Sequence, residues 1–110
     1  MDHLKKYIIE IDDFPKKGIV FKDLNPIYKE PKIWNELMLP LQKLISTEKP
    51  DYIAGIESRG FISASALAFN LEKGFITIRK PNKLPGEVIS TNYKLEYGED
   101  RLEIQQNIIE

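Results

Sequence analysis

Two short cationic segments carry residue types that bind phosphate. The first, Glu57-Ser58-Arg59-Gly60, places a permanent guanidinium charge beside a serine that can cap a following helix. The second, residues 79–83, holds three cations in five positions: Arg79, Lys80 and Lys83. Taken singly, each is equally well explained as a helix start or as a solvated charge run. Together they predict a phosphate or pyrophosphate site, provided that the fold brings them to one edge.

A third segment, residues 93–98, sets the carboxylate of Glu96 between aromatic residues, Tyr93 and Tyr97. A carboxylate that is desolvated against rings can exchange a proton with a heterocyclic base. A plain strand with tyrosines on one face is the alternative interpretation. The segment by itself therefore does not decide between these two interpretations.

The elements before the cationic segments predict an α/β fold. Short apolar runs at 52–56 and 75–78 flank the stretch 61–71, which is apolar on all sides and is expected to be a helix packed deep against a sheet. A strand, a helix and a strand in this order form the βαβ unit of a parallel sheet. Both cationic segments then follow the carboxyl ends of neighbouring strands, where such folds bind ligands.

The amino-terminal part predicts two helices separated by a loop. Residues 1–11 have the spacing of a short amphipathic helix, and residues 31–47 repeat apolar side chains with helical periodicity. Pro40 should kink this second helix or cut it in two. The intervening stretch 12–31 is rich in proline and predicts an ordered loop with a brief extended piece at 19–21.

The carboxyl-terminal part predicts an antiparallel hairpin. Polar and apolar residues alternate through 88–97 and again through 102–104. The intervening Gly98-Glu99-Asp100 is typical of a turn. Its two acids, like Asp12-Asp13, are expected to be solvated turn residues and not ligands of a cation.

The amino-acid composition limits the classes of protein to which this chain can belong. The 110 residues predict a single domain over 1–110, and 16 basic residues nearly balance 17 acidic ones, so nothing points to nucleic acid or to a membrane surface. Cysteine is absent and histidine occurs once, which excludes a thiolate zinc site and disfavours a protein-built metal centre. Dinucleotide and P-loop fingerprints are also absent. The expected location is the cytoplasm.

Five linked motifs, spanning about Tyr7 to Gln106, resemble the adenine phosphoribosyltransferases, which are type I phosphoribosyltransferases. They follow one another in the family's order: Asp13-Phe14-Pro15 with Gly18-Ile19-Val20-Phe21-Lys22-Asp23-Leu24-Asn25-Pro26, then Gly55-Ile56-Glu57-Ser58-Arg59-Gly60-Phe61, Arg79-Lys80-Pro81-Asn82-Lys83-Leu84-Pro85-Gly86, Tyr93-Lys94-Leu95-Glu96-Tyr97-Gly98 and Leu102-Glu103-Ile104. Any one motif is weak, but the linked set is specific.

The resemblance implies a partial type I phosphoribosyltransferase fold, a parallel sheet with flanking helices plus an antiparallel hairpin flap. It implies purine salvage by a pentosyltransferase reaction, in which adenine displaces pyrophosphate from phosphoribosyl pyrophosphate to give AMP. Mg²⁺ would be bound through the diphosphate of the substrate, and the protein would be a homodimer.

The resemblance also assigns roles to residues. Val20 and Lys22 would contact adenine. Glu96 would manage the protonation of the base, and Arg59 would be the second catalytic residue. Tyr97 would lie beside Glu96 on the mobile flap. The pyrophosphate-binding residues would be Glu57, Ser58, Arg59, Arg79, Lys80 and Lys83.

Two departures from the family pattern modify these expectations. Lys22 stands where the family usually has arginine, and one ammonium cannot reproduce a planar bidentate donor. The sequence also stops at Glu110, before the family's paired acids and its Thr-Gly-Gly-Thr loop for the 5-phosphate. We therefore expect the 110 residues alone to be inactive and to expose apolar surface. The alternative is a non-catalytic module of this family that binds purine or phosphate, or assembles with a partner.

Overall fold

The computed structural model describes residues 2–95 and 98–109 and divides the chain into two compact units, Met1–Thr47 and Glu48–Glu110. The single domain over 1–110 stays a prediction. Within the described residues, no helix is both long enough and apolar enough to cross a membrane.

The first unit is built on a small core under a long helix. A 3-10 helix, Asp2–Tyr7, precedes two strands, β1 (Ile9–Asp12) and β2 (Val20–Asp23), and two helices, α1 (Asn25–Tyr28) and α2 (Pro31–Thr47). Apolar side chains from the 3-10 helix, α1 and α2 form the core, namely Leu4, Ile27 and Ile33. Ile8, directly before β1, and Leu24, directly after β2, pack against this core.

Two sequence predictions in this unit need correction. The helix predicted over 1–11 covers only Asp2–Tyr7, because Ile9 to Asp12 alternate apolar and acidic residues and pair antiparallel with β2. The second helix is not cut in two: α2 runs through Pro40 without a break. Pro40 is exposed, so its ring displaces no packed neighbour. The apolar side chains on the other turns stabilise the helix on both sides of the proline.

The second unit contains the predicted βαβ unit and hairpin. Strands β3 (Tyr52–Ile56) and β4 (Gly74–Ile78) are parallel and lie in register, and α3 (Arg59–Asn70) connects them. Strands β5 (Val88–Leu95) and β6 (Gly98–Gln105) form the antiparallel hairpin. The predicted α/β class is confirmed.

Helix α3 packs closely on β3 with one face. A Cβ at Gly55 would lie 2.7 Å from the carbonyl oxygen of Gly60 and 2.8 Å from the Cβ of Ala64, so only glycine fits there. The prediction of burial on all sides is wrong, since Ile62 and Phe69 are 43% and 78% exposed. A helix on a two-stranded sheet buries only the stripe that faces the strands.

The predicted hairpin is confirmed, but its predicted turn is wrong. Gly98, Glu99 and Asp100 belong to β6 and pair with Leu95, Lys94 and Tyr93 of β5. The Tyr93 hydroxyl donates a hydrogen bond to Asp100 Oδ2 at 3.1 Å, so this acid is a strand residue with a cross-strand partner.

Candidate functional site

The carboxyl ends of β3 and β4 are joined by the side chain and backbone of Glu57, the residue that directly follows β3. Its backbone N–H donates to the carbonyl oxygen of Ile78 at 2.8 Å. Its Oε1 accepts from Arg79 Nε at 3.0 Å and from the Lys80 backbone N–H at 3.1 Å. Parallel pairing brings both strand ends to the same edge, and Glu57 binds the start of the cationic segment there.

Electrostatics keep the Glu57 carboxyl ionised. Burial raises its pKa, but hydrogen bonds from the Lys80 N–H and the Arg79 side chain, with the positive charge of Lys83, outweigh burial and hold the pKa below its ordinary value. The side chain is 15% exposed, so the ion pair with Arg79 is partly shielded from water. Two cations of segment 79–83, Arg79 and Lys83, and the backbone N–H of Lys80 therefore act on one carboxylate.

The opposite side of segment 79–83 is held by two acids of β6. Glu103 Oε1 accepts from the Asn82 backbone N–H at 3.2 Å, and the backbones of Glu103 and Arg79 exchange two hydrogen bonds at 2.9 and 2.7 Å. Asp100 Oδ2 lies 3.9 Å from Lys80 Nζ. The segment is thus fixed between the end of β3 and the hairpin.

Ser58 and Arg59 begin α3 next to this cluster. Ser58 occupies the cap position, but the predicted side-chain cap is wrong because no such hydrogen bond forms. Its backbone is helical (φ −114°, ψ −20°), whereas a capping side chain normally belongs to an extended residue. Its carbonyl oxygen accepts from the Phe61 N–H at 3.1 Å. The Arg79 guanidinium lies 5.7 Å from the centre of the Phe61 ring.

Val20 and Lys22 lie in the first unit, on β2. Lys22 faces Glu10 across the β1–β2 ladder, with Nζ 3.2 Å from Glu10 Oε1, and both side chains are more than half exposed. The loop before β2 is ordered by the Gly18 N–H, which donates to Asp13 Oδ1 at 2.8 Å. Gly18 has φ +88°, a conformation that favours glycine.

Comparison with known proteins agrees with the motifs. No protein-family model matches the chain. A curated adenine phosphoribosyltransferase of Prochlorococcus marinus is 89% identical over all 110 residues. The crystal structure of the adenine phosphoribosyltransferase of Thermoanaerobacter pseudethanolicus is 47% identical over 97% of this chain, with a TM-score of 0.87. The Saccharomyces cerevisiae enzyme, solved with an imino-altritol bisphosphate and adenine, is 41% identical over 98% of this chain, with a TM-score of 0.81.

The resemblance to the adenine phosphoribosyltransferases and the predicted partial type I phosphoribosyltransferase fold are confirmed. The chain spans 64% of the length of the Prochlorococcus marinus adenine phosphoribosyltransferase and 62% and 64% of the two solved ones. The match therefore covers a part of each of these relatives.

Sequence reasoning missed the acids that hold the adenine phosphoribosyltransferase-like cationic segment. Glu57 was predicted to bind pyrophosphate, yet its carboxylate binds Arg79 and Lys80. Glu103 and Asp100 were not predicted to bind the cationic segment. The alternation of β6 is the signal that could have found Asp100, because strand pairing sets it opposite Tyr93.

The remaining predicted site residues are Glu96 and Tyr97. Both lie outside the described residues, between β5 and β6. Among the residues that are described, no three His, Asp or Glu side chains converge into a metal site.

Proposed function

We propose that this chain supplies the pyrophosphate-binding and adenine-binding parts of an adenine phosphoribosyltransferase. In that reaction a ring nitrogen of adenine bonds to the anomeric carbon of phosphoribosyl pyrophosphate. The bond from this carbon to the pyrophosphate oxygen breaks, so that AMP and pyrophosphate form. The observation that carries the proposal is that Glu57 binds the Arg79 side chain and the Lys80 backbone at the carboxyl ends of β3 and β4, with the charge of Lys83 also acting on it.

The cationic segment would bind and neutralise the leaving group. The anomeric carbon passes through a positively charged state while negative charge grows on pyrophosphate, so fixed cations lower the barrier. Glu57 occupies the Nε–H of Arg79, and a guanidinium has four further N–H donors for phosphate oxygens. Arg59, with Ser58 and the backbone amides around Glu57, would complete this pyrophosphate site at the start of α3.

The adenine half of the proposal rests on β2 and on the relatives. Val20 would contact the purine through its backbone, and Lys22 would contact it through its ammonium group. The yeast relative was solved with adenine, which supports this ligand class. Glu96 would manage protonation of the base and Tyr97 would close the flap. The homodimer also remains part of the proposal.

Mg²⁺, bound through the diphosphate, would supply further neutralisation of the leaving group. The described residues offer no converging acids for it. Diphosphate oxygens and water would provide most of the ligands of Mg²⁺.

Calorimetric titration with pyrophosphate tests the cationic site. Lys83→Ala should weaken binding about tenfold, because one charge-assisted contact to a phosphate oxygen is lost. Lys73→Ala is the matched control: it removes the same charge just before β4, at the opposite end of the strand, and should leave the affinity unchanged. Equal affinities for the two variants would refute the pyrophosphate site.

An assay of AMP formation separates the enzyme from the non-catalytic alternative. Radiolabelled adenine and phosphoribosyl pyrophosphate are supplied to the chain alone and to a mixture with the part of the Prochlorococcus marinus relative that this chain does not match. We expect AMP in the mixture and none from the chain alone. Ligand binding without AMP in either sample would favour the non-catalytic module, and competition between purine bases would reveal a different base.

A further inference from the structure

Glu103, on β6, is the one charged residue that is buried among residues 3–95 and 98–109, with 6% of its surface exposed. Removing a carboxylate from water is unfavourable unless hydrogen bonds and an opposite charge compensate for it. Both are present: the Asn82 N–H donates to Oε1, and Arg101 Nη2 lies 3.2 Å from Oε2. Each carboxylate oxygen of Glu103 therefore has a partner that compensates for its burial.

These partners bracket the turn of the cationic segment. The backbone of Glu103 binds that of Arg79 in both directions, and its side chain binds Asn82 three residues further along. Asn82 has φ +68°, a left-handed conformation that costs free energy in residues other than glycine. One residue of β6 thus fixes both ends of the turn that carries Lys80 and precedes Lys83.

We propose that Glu103 is a positioning residue for pyrophosphate binding, which acts through the backbone of segment 79–83. Its backbone sets Arg79 beside Glu57, and its carboxylate keeps Asn82 in the left-handed conformation that directs the following lysine. Because Glu103 belongs to β6, these hydrogen bonds join the cationic segment to the hairpin. This inference rests on the proposed function and adds to it the residue that shapes the site.

Amide hydrogen exchange of Asn82, followed by NMR on the full chain, tests the geometric part. Glu103→Ala should speed exchange at Asn82 about tenfold, which corresponds to the loss of one hydrogen bond. Glu103→Gln should restore slow exchange, since its amide oxygen still accepts a hydrogen bond. Unchanged exchange in Glu103→Ala would overturn the proposal, whether or not pyrophosphate binds.

Pyrophosphate titration of the same variants tests the functional part. We expect Glu103→Ala to bind about tenfold more weakly and Glu103→Gln to recover most of the affinity. Leu102→Ala is the matched control, because it truncates a neighbouring side chain of β6, at a position that pairs with Thr91 of β5, and should bind normally. An equal loss in Leu102→Ala would show that Glu103 acts through hairpin stability alone and would overturn the positioning role.

The two readouts separate failure of this inference from failure of the proposed function. If the unaltered chain does not bind pyrophosphate, the proposed function fails while Asn82 exchange still reports on Glu103. If Glu103→Ala does not fold, Glu103→Gln and Arg101→Ala replace it. Arg101→Ala removes the other partner of the carboxylate, so Asn82 protection should survive in it. Loss of Asn82 protection in this variant would count against the proposal.

Discussion

Asp100 and Tyr93 form a cross-strand pair whose two groups shift each other's acidity. A hydrogen bond from the Arg101 N–H and a second from the Tyr93 hydroxyl hold the pKa of Asp100 below its ordinary value, despite some burial. Burial and the hydrogen bond to Asp100 raise the pKa of Tyr93. The pair lies beside Lys80, so it bears on the cationic segment as well as on the hairpin.

Removing the Asp100 charge should lower the pKa of Tyr93 toward its ordinary value of about 10. Asp100→Asn leaves the burial unchanged but takes away the negative charge that opposes ionisation of the phenol. NMR titration of the tyrosine ring carbons, which resolves the five tyrosines of the chain, measures the shift. Glu99→Gln, a change at the exposed neighbouring acid, is the control and should leave Tyr93 unaffected. A Tyr93 titration identical in Asp100→Asn would contradict the assignment.

The direction of each pKa shift fixes the pH window of this pair. Asp100 has a lowered pKa, so its contribution to folding is present above about pH 3.9 and is lost as the pH falls through the folded value. Tyr93 has a raised pKa, so its contribution is present below about pH 10 and is lost as the pH rises through the folded value. The hairpin should therefore be anchored to segment 79–83 throughout the neutral range.

Among the helices and strands, the close packing of α3 on β3 positions the start of α3. Gly55 is the contact point, because any side chain there would meet the backbone of Gly60 and the side chain of Ala64. The residues that begin α3, Ser58 and Arg59, follow β3 directly. The distance between strand and helix therefore sets where the first helical residues stand at the strand end.

Gly55→Ala should lower the free energy of unfolding by about 1–3 kcal/mol, the usual range for overpacking a close contact. Backbone atoms cannot give way as the end of a flexible side chain can, so α3 must shift. Gly60→Ala is the matched control: its Cβ would meet no atom closer than 3.7 Å, and alanine favours the helix. Urea denaturation followed by circular dichroism measures both. Equal stability of Gly55→Ala and the unaltered chain would show that the contact is looser than the structure indicates.

Apolar exposure is the main feature at the scale of the whole molecule. Phe69 and Ile62 leave the outer face of α3 open, and β3 pairs on one edge with β4 and with no other strand of the described residues. An open strand edge beside exposed apolar side chains favours association between copies. The chain also spans only 64% of the Prochlorococcus marinus relative.

We expect the isolated chain to self-associate and to melt at low temperature. Phe69→Lys should reduce the association, because it places a charge on the most exposed apolar side chain of α3. Asn35→Lys adds the same charge at an exposed position of α2 and should not reduce it. Light scattering and circular dichroism melting are the measurements. A monodisperse, cooperatively melting monomer of the unaltered chain would refute this expectation.

The sequence alone determined which segments form the βαβ unit and the hairpin, and it predicted the segments of the proposed site. Those features are local: apolar runs, alternation and turn residues lie within a few positions of one another. The same local rules misplaced the hairpin turn and missed β1, because pairing with a second strand decides both. Family motifs added the expected chemistry, since linked short patterns are specific even when each is weak.

Only the tertiary structure decided which charges meet. Glu57 binds Arg79 from 22 positions away, and Glu103 binds Asn82 from 21 positions away. No periodicity connects residues so far apart, because their distance depends on strand register and on how the hairpin joins β4. For the same reason a glutamate in an alternating strand gave no sign that it would be buried beneath a cationic turn.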